Sequence, residues 1–181
     1  MVRRFGRLNP NGVPTVFSVI GARVDERCRA TWYRVRMPRR PNGSVAWVRA
    51  RDVTTAVVRT RVLVDLSARR VTLYRDGRKV LSATAAVGAP GTPTPVGAFY
   101  VDQRLLASDP SGPYGPGAIG IAAYSDVLTG WAQGGPIAIH GTNRPDLLGE
   151  AISNGCVRVR NDALRRLFRA TLAGTPVVIQ R

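Results

Sequence analysis

The chain has 181 residues, 44% of them hydrophobic and 21% charged, with 19 Gly and 13 Pro. That is the composition of a globular protein of one or two domains, and it excludes the collagen-like and low-complexity classes. The net charge of +16 is carried almost wholly by Arg, with Lys79 the sole Lys; it reads either as a polyanion-binding surface or as an Arg-heavy composition with a solvated basic exterior.

Residues 1–12 are rich in Gly, Asn, Pro and Arg and read as a flexible lead-in. From 13 to 58 short strands follow one another: Pro14–Ile20, the alternating Thr31–Arg36, a turn at Pro41–Ser44, then Val45–Arg49. Short strands joined by tight turns predict a small β-barrel with Cys28 in its core. A second unit occupies 59–181. Arg61–Leu66 and Val71–Tyr74 read as strands, and Asp76-Gly77 is a two-residue hairpin signal before Lys79–Leu81 and Ala83–Val87. A Gly/Pro-rich loop over 88–97 precedes the strand Ala98–Val101. Residues 107–118 read as a surface loop over a cleft. Ile137–Ile139 is a short strand running into His140. One helix is predicted, capped by Asn161 or Asp162, with Leu164, Leu167, Phe168 and Leu172 on one face. Gly174 ends it before a closing strand, Val177–Ile179.

Basic residues are scattered from Arg3 to Arg181 without a long run, and no nucleic-acid motif accompanies them. No specific nucleic acid is therefore expected as a partner. Two Cys and one His without ligand spacing give no zinc pattern, so no metal site is expected. No stretch is long and apolar enough to span a membrane, and Met1–Gly6 is basic without the apolar core of a signal peptide.

The segment 137–161, IAIHGTNRPDLLGEAISNGCVRVRN, concentrates the chemistry. A thiol reacts as its thiolate, and an imidazole within hydrogen-bond reach can take its proton. His140 and Cys156 are sixteen residues apart, so the intervening loop must fold back to join them. Gly155 lets the backbone turn beside the thiol, and the Gly155 and Cys156 amides are candidate oxyanion donors. Ser153 and Thr142 are nearby hydroxyls. If Cys156 opens a strand, Arg158 shares its face and can hold a carboxylate. Singly, a Cys in an apolar run reads as a buried small hydrophobe and a lone His as structural.

Together these residues resemble the L,D-transpeptidase catalytic (YkuD-type) domain. The resemblance rests on His140-Gly141-Thr142 and on Ser153-Asn154-Gly155-Cys156-Val157-Arg158, with twelve residues between His140 and Ser153. Upstream, Thr92–Phe99 and Gly134–Ile139 fit the same pattern, and the likeness covers roughly 61–180. Where many members have a second His before Gly-Cys, this chain has Asn154, which leaves all base chemistry to His140. The resemblance implies a mostly β fold: an L,D-transpeptidase-like β-sandwich with one or two short helices, preceded here by a small barrel resembling a bacterial SH3-like domain. It implies Cys156 as nucleophile and His140 as base, supported by Gly155, Ser153, Gly141 and Thr142. Arg158, Asn154 and Tyr114 are the expected substrate contacts. The implied reaction is peptidoglycan cross-linking: a tetrapeptide stem loses D-alanine, forms a thioester and passes to a diamino acid amine. Water as acceptor would make the chain an L,D-carboxypeptidase, and a non-enzymatic wall-binding protein is the alternative of another class. Expected partners are peptidoglycan stem peptides, anionic wall polymers and β-lactam inhibitors such as carbapenems. The expected location is the cell envelope, with an export signal that this chain does not carry.

Overall fold

Alternation of apolar and polar residues sets the strands of this protein, and the computed structural model describes residues 4–181 of them. The first three residues of the expected lead-in lie outside the described residues. The N-terminal unit is an antiparallel meander of β1 (Ser18–Val24), β2 (Ala30–Arg36) and β3 (Val45–Arg49), closed by a 3₁₀ turn at Ala50–Asp52. The segment read as a small barrel is thus a three-stranded sheet. In the β1–β2 turn the Asp25 carboxylate accepts the amides of Arg27 and Arg29. Cys28 sits in this turn at φ 58, exposed; it is not a core residue, because the turn swings it away from the sheet.

The second unit contains β4 (Thr60–Asp65), β5 (Arg70–Arg75), β6 (Arg78–Gly88), β7 (Gly97–Leu106), β8 (Gly117–Tyr124), β9 (Pro136–His140), β10 (Ala151–Ser153) and β11 (Val157–Val159). Helix α1 (Asn161–Ala170) and β12 (Pro176–Gln180) complete it. The strand order is β10-β6-β11-β9-β8-β7-β12-β4-β5, and β5 pairs again with β6. Eight strands therefore close on themselves, with β10 appended. The eleven-residue β6 makes closure feasible: its first half pairs with β5, while Ala85 and Ala86 pair with β11. Inside, Val62, Val64, Val71, Leu73, Ile137, Ile139, Val157, Val159, Val177 and Ile179 are all at most 2% exposed. Each such side chain contributes about 1.5–3 kcal/mol by leaving water. Helix α1 packs Ala163, Leu164 and Leu167 onto this core.

The helix departs from expectation at both ends. Its N-cap is Arg160, without a side-chain cap, and the Asn161 side-chain Oδ1 instead accepts the Thr142 amide at 2.8 Å. It ends at Ala170, where the Thr171 hydroxyl donates to the Leu167 carbonyl at 2.8 Å. Leu172 lies past that end and is 55% exposed. Strand β8 has no counterpart among the predicted strands, since its Gly117 and Gly120 weaken the strand signal. A Cβ at Gly120 would stand 2.5 Å from Gln103 Cγ and 2.8 Å from Asp102 Oδ1.

The two units are joined by directional bonds. Tyr124 donates its hydroxyl to the Pro38 carbonyl at 2.7 Å, and Tyr100 donates to that of Val16 at 3.0 Å. The Asn42 side chain pairs with both main-chain groups of Tyr124, at 2.7 and 2.9 Å. Arg40 donates to the carbonyls of Ser125 and Gly134. In the lead-in, Asn9 and Asn11 donate to Gln103 Oε1 at 3.0 and 2.8 Å.

Candidate active site

Parallel pairing of β11 with β9 builds the site. Val157 lies beside Ile139 and Arg158 beside His140. Side chains alternate along a strand, and registered neighbours point the same way. Ile137, Ile139, Val157 and Val159 therefore fill the core, and Ala138, His140, Cys156 and Arg158 share the opposite face. That face floors a cleft of about 160 Å³ lined by His140, Ser153, Asn154, Cys156 and Arg158. Its walls come from Pro113 and Tyr114 on one loop, and from Ser125, Leu128, Trp131, Gly135 and Pro136 on another.

His140 is 4% exposed, and its Nδ1 lies 2.6 Å from the Gly141 carbonyl oxygen. A carbonyl can only accept, so Nδ1 carries the proton and Nε2 keeps its lone pair. The Tyr114 ring leans over the imidazole, centroids 4.8 Å apart. Burial, reinforced by the Arg158 charge and partly offset by the Gly141 carbonyl, pulls the imidazole down to about 4. Burial likewise pushes the Cys156 thiol up, opposed by the Ala138 amide and Arg158. At neutral pH both groups are therefore uncharged.

A hydroxyl staple holds the turn that presents the thiol. Ser153, 1% exposed, donates to the Cys156 carbonyl at 2.5 Å and accepts the Gly155 amide at 3.1 Å. Gly155 sits at φ +108, a conformation that favours glycine, and a Cβ there would crowd Ile137 Cδ1 at 3.0 Å. Because the Gly155 amide is committed to Ser153, Cys156 remains as the other expected oxyanion donor. Gly141 and Thr142 form a second support. A Cβ at Gly141 would stand 2.3 Å from Asn161 Oδ1, the oxygen that takes the Thr142 amide. Thr142, 3% exposed, accepts the Arg144 amide on its hydroxyl at 2.9 Å. It braces the loop and does not line the cleft.

Arg158 reaches the cleft with its Nε buried and without a partner among the described residues. Asn154 is exposed at the rim, and Tyr114 is 54% exposed. The structure thus gathers Cys156, His140, Ser153, Asn154, Arg158 and Tyr114 about one cleft, with Gly155, Gly141 and Thr142 behind it. Sequence reasoning missed the wall at 125–136, including Trp131, and the straps from Arg40 and Asn42 that hold its ends. An aromatic inside the Gly-rich stretch Thr129–Gly135 was the one available signal for that wall. Among the described residues no cluster of His, Cys, Asp or Glu could hold a metal ion, and no helix is long and apolar enough to cross a membrane.

Residues 59–179 match the family model of the L,D-transpeptidase catalytic domain, YkuD. A Bacillus subtilis relative named as the L,D-transpeptidase YkuD is 35% identical over 120 residues, 66% of this chain and 65% of the relative. Its namesake in Bacillus licheniformis is 36% identical over 119 residues, 66% of this chain and 64% of the relative. The match spans a little under two thirds of the length of these curated relatives. A solved L,D-transpeptidase from Mycobacterium smegmatis has a TM-score of 0.53 at 21% identity, over 76% of this chain and 66% of that one, a likeness of fold.

Proposed function

The chain belongs to the L,D-transpeptidase catalytic domain (YkuD) family, and on that premise we propose that it cross-links peptidoglycan by acyl transfer through a Cys156 thioester. Residues 59–181 are the catalytic domain on this reading, and 13–58 a separate N-terminal unit. The observation that carries it is the β9–β11 register, which sets imidazole and thiol on one face of the cleft while the Gly141 carbonyl reserves His140 Nδ1. Only Nε2 is left to act as base.

The resting pair is neutral, so the proton moves as the bond forms. Cys156 Sγ attacks the carbonyl of the L,D peptide bond in a tetrapeptide stem, and its proton passes to His140 Nε2. The carbonyl oxygen becomes an oxyanion facing the Cys156 amide; one such donor contributes about 2.7–4 kcal/mol to the barrier. The C–N bond then breaks, and Nε2 returns the proton to the departing D-alanine. A thioester remains. A diamino acid amine from a second stem attacks it, gives its proton to Nε2, and leaves with the acyl group as a new amide; Cys156 regains its proton. Water in place of the amine gives L,D-carboxypeptidase activity. Arg158 Nε, buried and without a partner among the described residues, suits a stem carboxylate. Tyr114 and Asn154 bound the donor, and Trp131 widens the apolar wall. A β-lactam such as a carbapenem offers the same nucleophile a strained carbonyl and would acylate it. The substrate places the working protein in the cell envelope.

The test is Cys156→Ala assayed with tetrapeptide muropeptides. D-alanine release and dimer formation should both disappear. Undiminished release would overturn the thiol mechanism.

A further inference from the structure

The three-stranded sheet carries chemistry that acyl transfer does not use. Arg23 stands across from Trp32, Trp32 from Arg49, and Arg34 from Trp47. Cross-strand partners project from the same face, so these five side chains form one surface. The opposite face presents Tyr33, Val35 and Val48, and Val35 is 1% exposed. On the outer face Arg23, Arg34 and Arg49 are exposed, and Trp47 is 41% exposed. The Arg23 guanidinium lies 4.5 Å over the Trp47 ring, and that of Arg49 lies 5.5 Å over Trp32.

Stacking holds a guanidinium plane in place while leaving its N–H edges free for anionic oxygens. Among the described residues no carboxylate pairs with Arg23, Arg34 or Arg49. The unit as a whole is unbalanced, with nine Arg against three acidic residues between positions 13 and 58. Two of those acids are already paired, Asp25 with Arg29 and Asp52 with Arg51. Preset cations beside the exposed Trp47 indole and the half-buried Trp32 indole match a ligand that alternates negative charge with sugar rings.

We propose that this face binds an anionic glycopolymer, its sugar rings packing on Trp32 and Trp47 and its phosphates or carboxylates meeting Arg23, Arg34 and Arg49. The choice of a glycopolymer over a nucleic acid rests on the catalytic reading above, which sets the chain against a glycan substrate. The binding itself does not need Cys156, so the Cys156→Ala chain should bind unchanged and the two readings fail separately.

The experiment titrates the full chain with three probes, poly(glycerol phosphate) teichoic acid, polygalacturonate and a single-stranded oligothymidylate, following tryptophan fluorescence and affinity. One or both glycopolymers should bind at low salt, shield tryptophan from acrylamide quenching equally in the parent and in Trp131→Phe, which removes the cleft indole, and release near 0.5 M salt, where screening acts within about 4 Å. The phosphate and carboxylate arms identify the anion. The triple variant Arg23→Gln, Trp47→Ala, Arg49→Gln should bind about tenfold or more weakly, since each lost cation contact removes counterion release. Arg78→Gln with Arg165→Gln, which removes two charges from the other unit, should stay within about twofold. The fluorescence arm does not use the triple variant and so stands even if that variant is misfolded. The proposal is overturned if neither polymer binds at low salt, if the control pair loses as much affinity as the triple variant, or if oligothymidylate binds more tightly than both polymers.

Discussion

Replacing Ser153 with Ala perturbs the turn that presents Cys156 without touching its thiol. The hydroxyl accepts the Gly155 amide and donates to the Cys156 carbonyl, from a position 1% exposed. Alanine keeps the Cβ but strands one donor and one acceptor where water has little access. Each bond of this kind is worth about 1–1.5 kcal/mol, so the variant should lose about 2–3 kcal/mol of stability. For a chain of this length about 1 kcal/mol moves Tm by roughly 2–4 °C. Calorimetry should therefore record a fall of roughly 4–12 °C. The same bonds fix Gly155 at φ +108 and so set where Sγ stands. A displacement of about 1 Å at a reacting atom costs on the order of a hundredfold, so D-alanine release should slow by tenfold to about a hundredfold. A Tm within about 1 °C of the parent together with unchanged release would refute the staple.

Three further outcomes follow from other parts of the structure. Burial raises the Asp102 carboxyl from 3.8 to about 6 against the pull of its own and the Gln103 amides, and its Oδ1 has no partner among the described residues. The folded state therefore holds a proton that the unfolded state has released, and stability is lost as pH rises from about 4 to 6. Asp102→Asn should be about 2–3 kcal/mol more stable than the parent at pH 7 and lose that advantage below pH 4; a variant less stable at pH 7 contradicts the assignment. His140 works in the opposite sense, since its lowered value costs stability as pH falls from about 6.5 to 4. Alkylation of Cys156 by iodoacetamide should rise only on the alkaline side, because burial holds the thiol protonated; a reactive plateau near pH 6 would mean a thiolate–imidazolium pair instead. Arg40→Ala frees the Ser125 and Gly134 carbonyls and should raise KM for the stem several-fold through the loosened cleft wall, with little change in kcat. An unchanged KM would detach that strap from the site.

What could be read from the chain is what the chain encodes locally. Asp76-Gly77 turns its hairpin with φ of 48 and 78. His140, Gly155 and Cys156 carry their chemistry in their own identities and in one short segment. Strand β8 was hidden because Gly117 and Gly120, which keep close contacts open, also erase the β signal. Asn161 reads as a helix cap in the sequence, and only the folded chain brings the Thr142 amide close enough to claim its side-chain Oδ1. Arg40 and Asn42 grip a cleft wall more than eighty residues away, a relation that no window of sequence contains. The unpartnered Arg158 Nε and Asp102 Oδ1 likewise exist only once packing has removed water from them.

Acyl transfer through Cys156 requires a covalent intermediate, and intact-mass spectrometry reaches it directly. The protein is mixed with a tetrapeptide muropeptide lacking an acceptor amine, quenched in acid and weighed. A species heavier by the stem minus D-alanine, located on Cys156 by peptide mapping and absent from Cys156→Ala, is the expected result. D-alanine release with no such adduct, or an adduct at Cys28, would contradict the account.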